Sequence, residues 1–342
     1  MAFVNIGKIE SHEWYFDYAM RQAKKKSQEM RSELKHLEFD LMVKRLEAAQ
    51  CDTIKSALQK HLTLIIKSFP ALDDLTEFYA QLVRLTLEFN DLKKALSGVG
   101  WSNRKISEFT AEYVRKINGS RNIQDTSKHK KAFLGRIGSV MKQLDENLKY
   151  LEHARVIMYD YPSIKSNIFT VAIAGFPNVG KSTILSKITP AKPEIANYSF
   201  TTTKLNIGYA MLGHEKAQIV DTPGTLNRLE KMNAVEQQAY LAMRYVADCI
   251  VFVFDLTGEY SIDLQEELLE RVKKHNKPII FYLSKTDILP TNVADEFISR
   301  YGKNGAILTN TEDLLIVLKK KKKELFKTSG IEQIAEKERE RN

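Results

Sequence analysis

Residues 168–182 read Ile168-Phe-Thr-Val-Ala-Ile-Ala174-Gly175-Phe-Pro-Asn-Val-Gly180-Lys181-Ser182, and this stretch decides the fold of the second half of the chain. Its first seven residues form a short, β-rich apolar run, which predicts a buried strand. The last eight fit the pattern G-x-x-x-x-G-K-[ST], and a helical stretch follows them. Glycines let such a loop curl so that backbone N–H groups point at phosphate oxygens, and the helix adds its positive N-terminal end. The stretch therefore predicts a phosphate-binding loop.

Six consecutive residues of this loop are predicted to hold the phosphates: Asn178, Val179, Gly180, Lys181, Ser182 and Thr183. Lys181 supplies a positive charge at the β- and γ-phosphates, and the hydroxyl of Ser182 is placed to bind Mg²⁺. The alternative is a chance match in an ordinary strand–turn–helix, and the strand before the loop argues against it.

A second motif, Asp221-Thr222-Pro223-Gly224, follows another apolar segment at residues 218–220. The carboxylate of Asp221 is predicted to hold the magnesium shell through water, and the Gly224 N–H to contact the γ-phosphate. On its own, Asp-x-x-Gly is a common turn. Downstream of a phosphate-binding loop it predicts a switch segment that includes Thr222, Pro223 and Thr225.

Between the two motifs lies a threonine run, Thr201, Thr202 and Thr203, which is predicted to be the other switch. One of these threonines should reach Mg²⁺ when a nucleoside triphosphate is bound and move away after hydrolysis. The residues alone leave open which of the three it is. A bare threonine run is also common in loops and at β-edges.

The segment Ser284-Lys285-Thr286-Asp287 ends a predicted strand at residues 278–283 and predicts the base-reading turn. Asp287 can accept hydrogen bonds from both N1–H and the exocyclic amine of guanine, which adenine cannot donate together. Lys285 would lie over the purine face. The expected motif is Asn-Lys-x-Asp, so Ser284 is a departure that predicts weaker guanine affinity. A simple surface Lys-x-Asp turn is the alternative.

The rest of the chain divides into a helical half and an α/β half. Residues 1–160 show apolar positions at helical spacing, which predicts four or five helices in an antiparallel bundle, with breaks at Gly98-Val99-Gly100 and Asn118-Gly119-Ser120. Beyond residue 164, strands near 168–174, 218–220, 249–255 and 278–283 alternate with helices near 232–246, 262–275 and 311–325, which predicts a mostly parallel sheet. The predicted domains are residues 1–163, residues 164–328 and a charged tail, 329–342.

Charge is concentrated in the helical half. Residues 1–168 contain 28 Lys+Arg against 21 Asp+Glu, and residues 101–150 contain 11 against 5. This excess suits a polyanion such as RNA, although a solvated basic helix surface would look the same. The candidate RNA contacts are Arg104, Lys105, Arg115, Lys116, Arg121, Lys128, Lys130, Lys131 and Arg136.

Two further observations bear on the environment of the protein. No apolar run approaches the roughly 18–20 residues of a membrane span, which predicts no membrane partner. Cys51 and Cys249 lack any metal-binding spacing, which favours buried, reduced thiols and a cytoplasmic protein.

Together these motifs resemble the translation-factor-related GTPases. Tyr198-Ser-Phe-Thr-Thr202 with Asn206-Ile-Gly208 is similar to the first switch of the Obg group, which implies that Thr202 is the magnesium ligand. Motifs in the helical half resemble the nucleolar GTP-binding proteins of the Nog type: Phe69-Pro70-x-Leu72-Asp73-Asp74, Phe78-Tyr79, Glu112-Tyr113-Val114-Arg115, Lys131-Ala-Phe-Leu-Gly135-Arg136, Tyr150-Leu151-Glu152 and Tyr161-Pro162-Ser163-Ile164.

That resemblance implies a GTP- and GDP-binding switch that needs Mg²⁺ and acts in assembly of the large ribosomal subunit. Its helical bundle would dock on ribosomal RNA within the assembly particle, and the protein would be a monomer when off the ribosome. Eukaryotic members continue with a long C-terminal extension, so the chain is expected to be a short archaeal form.

Two departures from related GTPases bear on mechanism. Thr225 stands where signalling GTPases carry a glutamine that orients the attacking water, so intrinsic hydrolysis is expected to be slow and stimulated by a partner or by potassium. Asn178 matches an asparagine that binds K⁺ in potassium-activated relatives, which makes K⁺ a candidate cofactor. The segment Ile307-Leu-Thr-Asn310 stands where a purine-contacting motif is expected, and it lacks a Ser-Ala pair.

Three functions compete on this basis. The first is a GTP-driven assembly switch. The second is an RNA-binding scaffold with a degenerate nucleotide site, which Ser284 and Thr225 keep open. The third is an enzyme that uses ATP, against which Asp287 argues.

Overall fold

The computed structural model describes residues 3, 5–165, 167–189, 194–196, 205–222, 234–302 and 306–339. By their internal contacts the residues form two compact units. The helical unit comprises Phe3–Leu75 and Thr86–Tyr159. The nucleotide unit comprises Thr76–Leu85 and Asp160–Asn342.

Four long helices build the helical unit: α1 His12–Glu33, α2 Phe39–Ser68, α4 Phe89–Asn118 and α5 Ile123–Tyr159, with a 3-10 turn at Leu72–Asp74. Side-chain contacts show that α2 and α4 run antiparallel, because Thr63 contacts Asn103 whereas Gln59, one turn earlier, contacts Ser107. The Gln59 amide of α2 donates to the Asn103 carbonyl and the Ser107 hydroxyl of α4 at 3.1 and 2.7 Å. At the start of α1, the His12 N–H donates to Asp145 in the second half of α5 at 3.3 Å. The predicted antiparallel bundle is confirmed.

One predicted helix break is wrong and one is confirmed. Helix α4 runs without interruption through Gly98 and Gly100. A Cβ on Gly98 would lie 2.4 Å from Asn147 Nδ2 of α5, so this glycine permits close packing of two helices. The other break holds, because α4 ends at Asn118 and the N–H of Gly119 caps the Arg115 carbonyl.

The nucleotide unit is built on a seven-stranded sheet in the order β2-β3-β4-β1-β5-β6-β7. Its strands are β1 Thr170–Ala174, β2 Glu194–Ala196, β3 Leu205–Leu212, β4 Glu215–Asp221, β5 Cys249–Phe254, β6 Ile279–Leu283 and β7 Ile307–Leu308. Its helices are α3 Glu77–Thr86, α6 Lys181–Ile188, α7 Ala234–Tyr245, α8 Ile262–Lys273, α9 Thr291–Tyr301 and α10 Thr311–Arg339.

The sheet is mostly parallel, as predicted. Strand β1 lies between β4 and β5, and the pairs β1–β4, β1–β5, β5–β6 and β6–β7 are all parallel. The antiparallel pairs of the described sheet are β2–β3 and β3–β4. The four predicted strands correspond to β1, β4, β5 and β6, whereas β2, β3, β7 and helix α9 were not predicted. A continuous apolar core covers both faces of β1 and β5, each of which is buried along its whole length.

Helix α3 groups with the nucleotide unit, although it lies within the residues 1–163 that the sequence assigns to the helical domain. The Tyr79 hydroxyl of α3 donates to the Pro162 carbonyl at 2.8 Å and accepts the Ile164 N–H at 3.0 Å. Next along the chain, the Lys165 N–H donates to Gln218 of β4 at 3.1 Å. The domain boundary at residue 163 stays a prediction.

Two other expectations concern the cysteines and membrane-spanning helices. Cys51 and Cys249 are both free and buried, and burial raises the pKa of each thiol to about 12. No helix within the described residues is long and apolar enough to cross a bilayer.

Candidate nucleotide-binding site

The phosphate-binding loop connects β1 to α6 at the carboxyl edge of the parallel strands. Its first glycine, Gly175, has φ +152°, and a Cβ there would lie 2.8 Å from the Val253 carbonyl oxygen of β5. Gly180 caps α6 in the left-handed conformation with φ +92°. Asn178, between them, also has a positive φ of 60°. The loop thus needs glycine where the pattern places it, and it ends at a helix N-terminus suited to an anion.

Lys181 begins α6 and points back into the loop. Its side chain is only 7% exposed, and its ammonium donates to the Phe176 carbonyl at 2.5 Å. Burial lowers the pKa of Lys181 to about 8, while the charge of Asp221 opposes the shift. A buried ammonium that is destabilised in this way gains most from an anion brought close to it, and a nucleotide phosphate is such an anion.

A hydroxyl and a carboxylate meet beside the loop. The Ser182 hydroxyl donates to Asp221 Oδ2 at 2.6 Å, because Asp221 ends β4, the parallel neighbour of β1. The Asn206 amide of β3 donates to the same oxygen at 3.2 Å. Among the described residues, nothing hydrogen-bonds the buried Asp221 Oδ1.

This oxygen pair fits a magnesium ion. Mg²⁺ prefers hard oxygen ligands and is usually held by one or two protein groups together with phosphates and water. Ser182 would hold the ion directly and Asp221 through water, and the unpartnered Oδ1 would gain a hydrogen-bond donor. A bound Mg²⁺ would neutralise phosphate charge.

The predicted base-reading turn follows β6. Ser284 is buried, and its hydroxyl and its N–H both donate to the Phe254 carbonyl of β5 at 2.9 Å. A Cβ on Gly180 would lie 3.7 Å from Ser284 Cβ, so this turn adjoins the phosphate-binding loop. Lys285 has φ +54°, and Asp287 is exposed. The carboxylate that is predicted to read guanine is therefore open to a ligand.

Three residues at this edge were not among the predicted site residues, although Asn206 lies in the motif that resembles the first switch. Asp255 follows β5, and its Oδ2 lies 2.6 Å from the Lys285 ammonium. Glu259 accepts a hydrogen bond from the Asn178 amide at 2.9 Å. Asn206 binds Asp221, as described above. One signal could have located the first of them: a polar residue directly after a buried strand lies at the edge where parallel strands end.

The structure thus brings together one group of the predicted residues and leaves others undescribed. Lys181, Ser182 and Asp221 converge, Val179 is buried beneath the loop, and Thr183 is exposed in the first turn of α6. Six predicted residues fall outside the described residues, namely Thr201, Thr202, Thr203, Pro223, Gly224 and Thr225. Thr222 is described, and its hydroxyl donates to the Ile173 carbonyl at 2.8 Å.

The candidate RNA contacts on the helical unit differ in their surroundings. Lys105 and Lys116 each pair with a glutamate on the same helix, at 2.6 and 2.5 Å. The Arg136 guanidinium lies over the Phe109 ring, 5.9 Å from its centroid. Lys130 pairs with Glu47 and donates to Gln50, so its charge is turned into the bundle. The remaining five are exposed: Arg104, Arg115, Arg121, Lys128 and Lys131.

The parallel sheet, the phosphate-binding loop with its buried lysine, and the Lys-x-Asp turn beside it define a P-loop GTPase domain. A family described as a 50S ribosome-binding GTPase matches residues 170–285. The NOG1 N-terminal helical domain matches residues 3–165. With both domains in this order, the chain belongs to the family of the nucleolar GTP-binding protein 1, which confirms the predicted resemblance to proteins of the Nog type.

Comparison with individual relatives indicates the same family. The chain is 34% identical over 263 residues to nucleolar GTP-binding protein 1 of Drosophila melanogaster, which is 74% of this chain and 40% of that protein. For the Saccharomyces cerevisiae protein of the same name, the identity is 32% over 237 residues, or 68% of this chain and 37% of that protein. An uncharacterized protein of Methanocaldococcus jannaschii is 36% identical over 275 residues, 79% of this chain and 77% of that protein.

The chain therefore spans about two fifths of the length of these two nucleolar relatives. Among solved structures, a putative nucleolar GTP-binding protein 1 from Plasmodium falciparum is 26% identical, with a TM-score of 0.39. The match covers 53% of this chain and 97% of that one.

Proposed function

We propose that this protein is a slow GTPase that acts as a guanine-nucleotide switch in assembly of the large ribosomal subunit. The observation that carries the proposal is the junction of two parts in one chain. One part has the phosphate-binding loop, with the buried Lys181 ammonium and the Ser182–Asp221 hydrogen bond beside it. The other is a NOG1-type helical bundle with an excess of positive charge. The names of the family and of the relatives point the same way.

The first part of the proposal is that GTP is bound and hydrolysed slowly. Thr225 stands where a glutamine would orient the attacking water, so the chain needs a partner or an ion to complete the site. Thr202 in the first switch and Gly224 in the second are the proposed sensors of the γ-phosphate and its Mg²⁺. Release of these contacts after hydrolysis would reset the switch.

The second part is that K⁺ stimulates hydrolysis through Asn178. Because the Asn178 amide nitrogen donates to Glu259, its carbonyl oxygen is left to face a cation. We expect GTP hydrolysis to be faster in KCl than in NaCl at equal ionic strength, and Asn178→Ala to abolish the difference while GDP still binds. Equal rates in the two salts would remove K⁺ from the proposal without affecting nucleotide binding.

The third part is that the helical unit docks on ribosomal RNA. Five basic residues of the candidate set are exposed on α4, on α5 or between them, and they are free to meet phosphates in a way that the inward-turned Lys130 is not. The protein is proposed to bind as a monomer. The compartment in which it works stays a prediction.

RNA crosslinking tests this docking. We expect crosslinks to map to α4 and α5, and to increase when GDP is replaced by a non-hydrolysable GTP analogue. The triple variant Arg104→Gln, Arg115→Gln, Lys131→Gln should lose them. A matched control removes three exposed charges from α1 of the same unit: Lys24→Gln, Lys25→Gln and Lys26→Gln. Equal losses in both variants would mean non-specific attraction, and crosslinks that ignore the nucleotide would contradict the switch.

A second candidate, an RNA-binding scaffold without nucleotide turnover, is favoured by one observation. The Ser284 hydroxyl is satisfied by the Phe254 carbonyl rather than directed at a base. Titration with fluorescent GDP and with fluorescent ATP separates the candidates. We expect binding of GDP and little of ATP. Absence of both would favour the scaffold, and a preference for ATP would favour an ATP-using enzyme.

A further inference from the structure

The segment that joins β5 to α8, residues 255–261, reaches both ends of the nucleotide site. At one end, Asp255 pairs with Lys285 of the base-reading turn. At the other, Tyr260 stacks on Phe176 of the phosphate-binding loop, with the ring centroids 4.4 Å apart. The motifs that identify the site do not include this segment.

We propose that Asp255 is a positioning residue for guanine: its carboxylate holds the Lys285 ammonium so that the lysine stem lies along the purine face, and it thereby compensates for the serine at position 284. The inference rests on the proposed binding of guanine nucleotides.

The first argument is that Asp255 is itself held in place. Its Oδ1 accepts the Thr257 N–H at 2.9 Å. The side chain of Gln265, fully buried on α8, brackets the Asp255 backbone: its oxygen accepts the Asp255 N–H at 3.0 Å and its amide donates to the Asp255 carbonyl at 2.7 Å. The carboxylate therefore cannot follow the lysine if the lysine moves, and the position of the ammonium is set by the scaffold.

The second argument is the geometry of Lys285. It is one of few residues other than glycine to adopt a left-handed backbone in the described chain, with φ +54°. Such a conformation persists where the surroundings impose it. Two contacts flank this residue: the Ser284 hydroxyl is bonded to the Phe254 carbonyl, and the Lys285 ammonium is paired with the Asp255 carboxylate.

The third argument is the charge of the pair. The carboxylate is 3% exposed and the lysine side chain 28%, so solvent screens this contact far less than it screens the surface ion pairs of the bundle. Burial alone would raise the pKa of Asp255, but the adjacent Lys285 ammonium and the hydrogen bond from the Thr257 N–H lower this pKa overall. The carboxylate is therefore charged wherever the lysine needs a partner.

The fourth argument is what Ser284 leaves undone. An asparagine amide at this place has two donors and an acceptor, whereas the serine hydroxyl spends its one proton on the Phe254 carbonyl. Ser284 thus anchors the turn to β5, and its hydroxyl has no further proton to donate to a ligand. Asp255, the first residue after β5, supplies a second connection to the turn through its ion pair with Lys285.

The test is a double-mutant cycle read by calorimetric titration with GDP. Asp255→Asn keeps an acceptor for the Thr257 N–H and removes the charge. We expect it to weaken GDP binding about tenfold. In a Lys285→Met background, the same substitution should cost less than about twofold, because its target is gone. Affinity for magnesium pyrophosphate, which fills only the phosphate end, should not change in either background.

The control is Asp263→Asn, which removes an exposed carboxylate from the first turn of α8 and should leave GDP affinity within about twofold of the parent. If Asp255→Asn melts below the assay temperature, Asp255→Ser retains the acceptor for Thr257 and replaces it. Losses that add in the double variant, or that are equal for GDP and pyrophosphate, would show a purely structural role. Failure of the unmodified chain to bind GDP would instead overturn the proposed function.

Discussion

The two ends of the nucleotide site are built in different ways. The phosphate end takes Lys181 and Ser182 from one continuous loop, and adds Asp221 from the adjacent parallel strand. The base end is assembled from the ends of β5 and β6, where Asp255 supports Lys285 across the sheet. The first end depends on a short stretch of chain whose pattern is complete. The second has an incomplete motif, and the fold supplies part of what is missing.

This difference implies that affinity and selectivity for the nucleotide are separable. Backbone N–H groups, Lys181 and the proposed magnesium site at Ser182 and Asp221 would act on the phosphates of any nucleotide. On the proposed function, discrimination between guanine and other bases would rest on Asp287 and on the orientation of Lys285. Substitutions at the phosphate end should therefore reduce all binding, whereas those at the base end should change which nucleotide is preferred.

The largest effect is expected for Lys181→Met. The substitution removes the buried ammonium that is proposed to face the phosphates, so we expect GDP and GTP affinity to fall about 100-fold or more. Methionine keeps much of the side-chain volume of lysine. Titration with fluorescent GDP measures it. The control is Lys187→Met, an exposed position on the same helix, which should bind normally. A loss of only a few fold would mean that the loop backbone alone holds the phosphates.

The next effect sharpens the contrast at the other end. Asp287→Asn replaces an acceptor of two hydrogen bonds with a group that offers one acceptor and two donors. We expect GDP affinity to fall about 100-fold and affinity for xanthosine diphosphate, which carries a carbonyl in place of the amine, to rise. Parallel titrations with the two nucleotides measure the exchange. If both affinities fell equally, Asp287 would be structural and not the base reader.

The two ends of the site also differ in how much of each could be predicted from the sequence. Strand β1, the phosphate-binding loop and the proposed magnesium ligand Ser182 could be predicted because the pattern at residues 175–182 is local. The contact of Asp255 with Lys285 was not, since it joins residues from two strands and depends on the register that places Phe254 opposite Leu283. No spacing rule in one sequence encodes that register.

The same reason explains the errors in the fold. Gly98 predicts a break when it is read locally, but in the structure it lets α4 approach Asn147 of α5. Gly208 interrupts the apolar run of β3 and hides the strand, although its lack of a side chain is what admits Thr189 at the end of α6, 2.5 Å from a Cβ at this position. Glycine marks a turn and a close approach alike, and only tertiary packing distinguishes them.

A smaller effect should distinguish the absence of asparagine at position 284 from the proposed compensation by Asp255. Ser284→Asn restores the expected residue, and a single added hydrogen bond predicts a gain in GDP affinity of about threefold to tenfold. The position adjoins Gly180 of the phosphate-binding loop, so there is a partner surface within reach. Pyrophosphate affinity is the control and should not change. No gain, or a loss, would mean that the site is already complete with Asp255 and that the asparagine only displaces the bond to the Phe254 carbonyl.

The last prediction is a pH dependence of GDP affinity that belongs to the phosphate end alone and is small near neutral pH. In the free protein, burial holds the pKa of Lys181 at about 8, against a usual value of 10.5. Bound phosphates favour the charged ammonium and raise this pKa, so GDP binding takes up a fraction of a proton near pH 8. Below about pH 7 the lysine is already charged and affinity should be flat. Above about pH 8 affinity should fall, by at most about tenfold per pH unit.

Titrations in buffers of different ionisation enthalpy measure the proton uptake directly. The uptake should vanish in Lys181→Met and persist in Asp287→Asn, because only the first variant lacks the titrating group. Uptake that survives in Lys181→Met would place the proton elsewhere. That result would also remove the asymmetry between the two ends, since the phosphate end would then bind its ligand without the buried lysine changing its state.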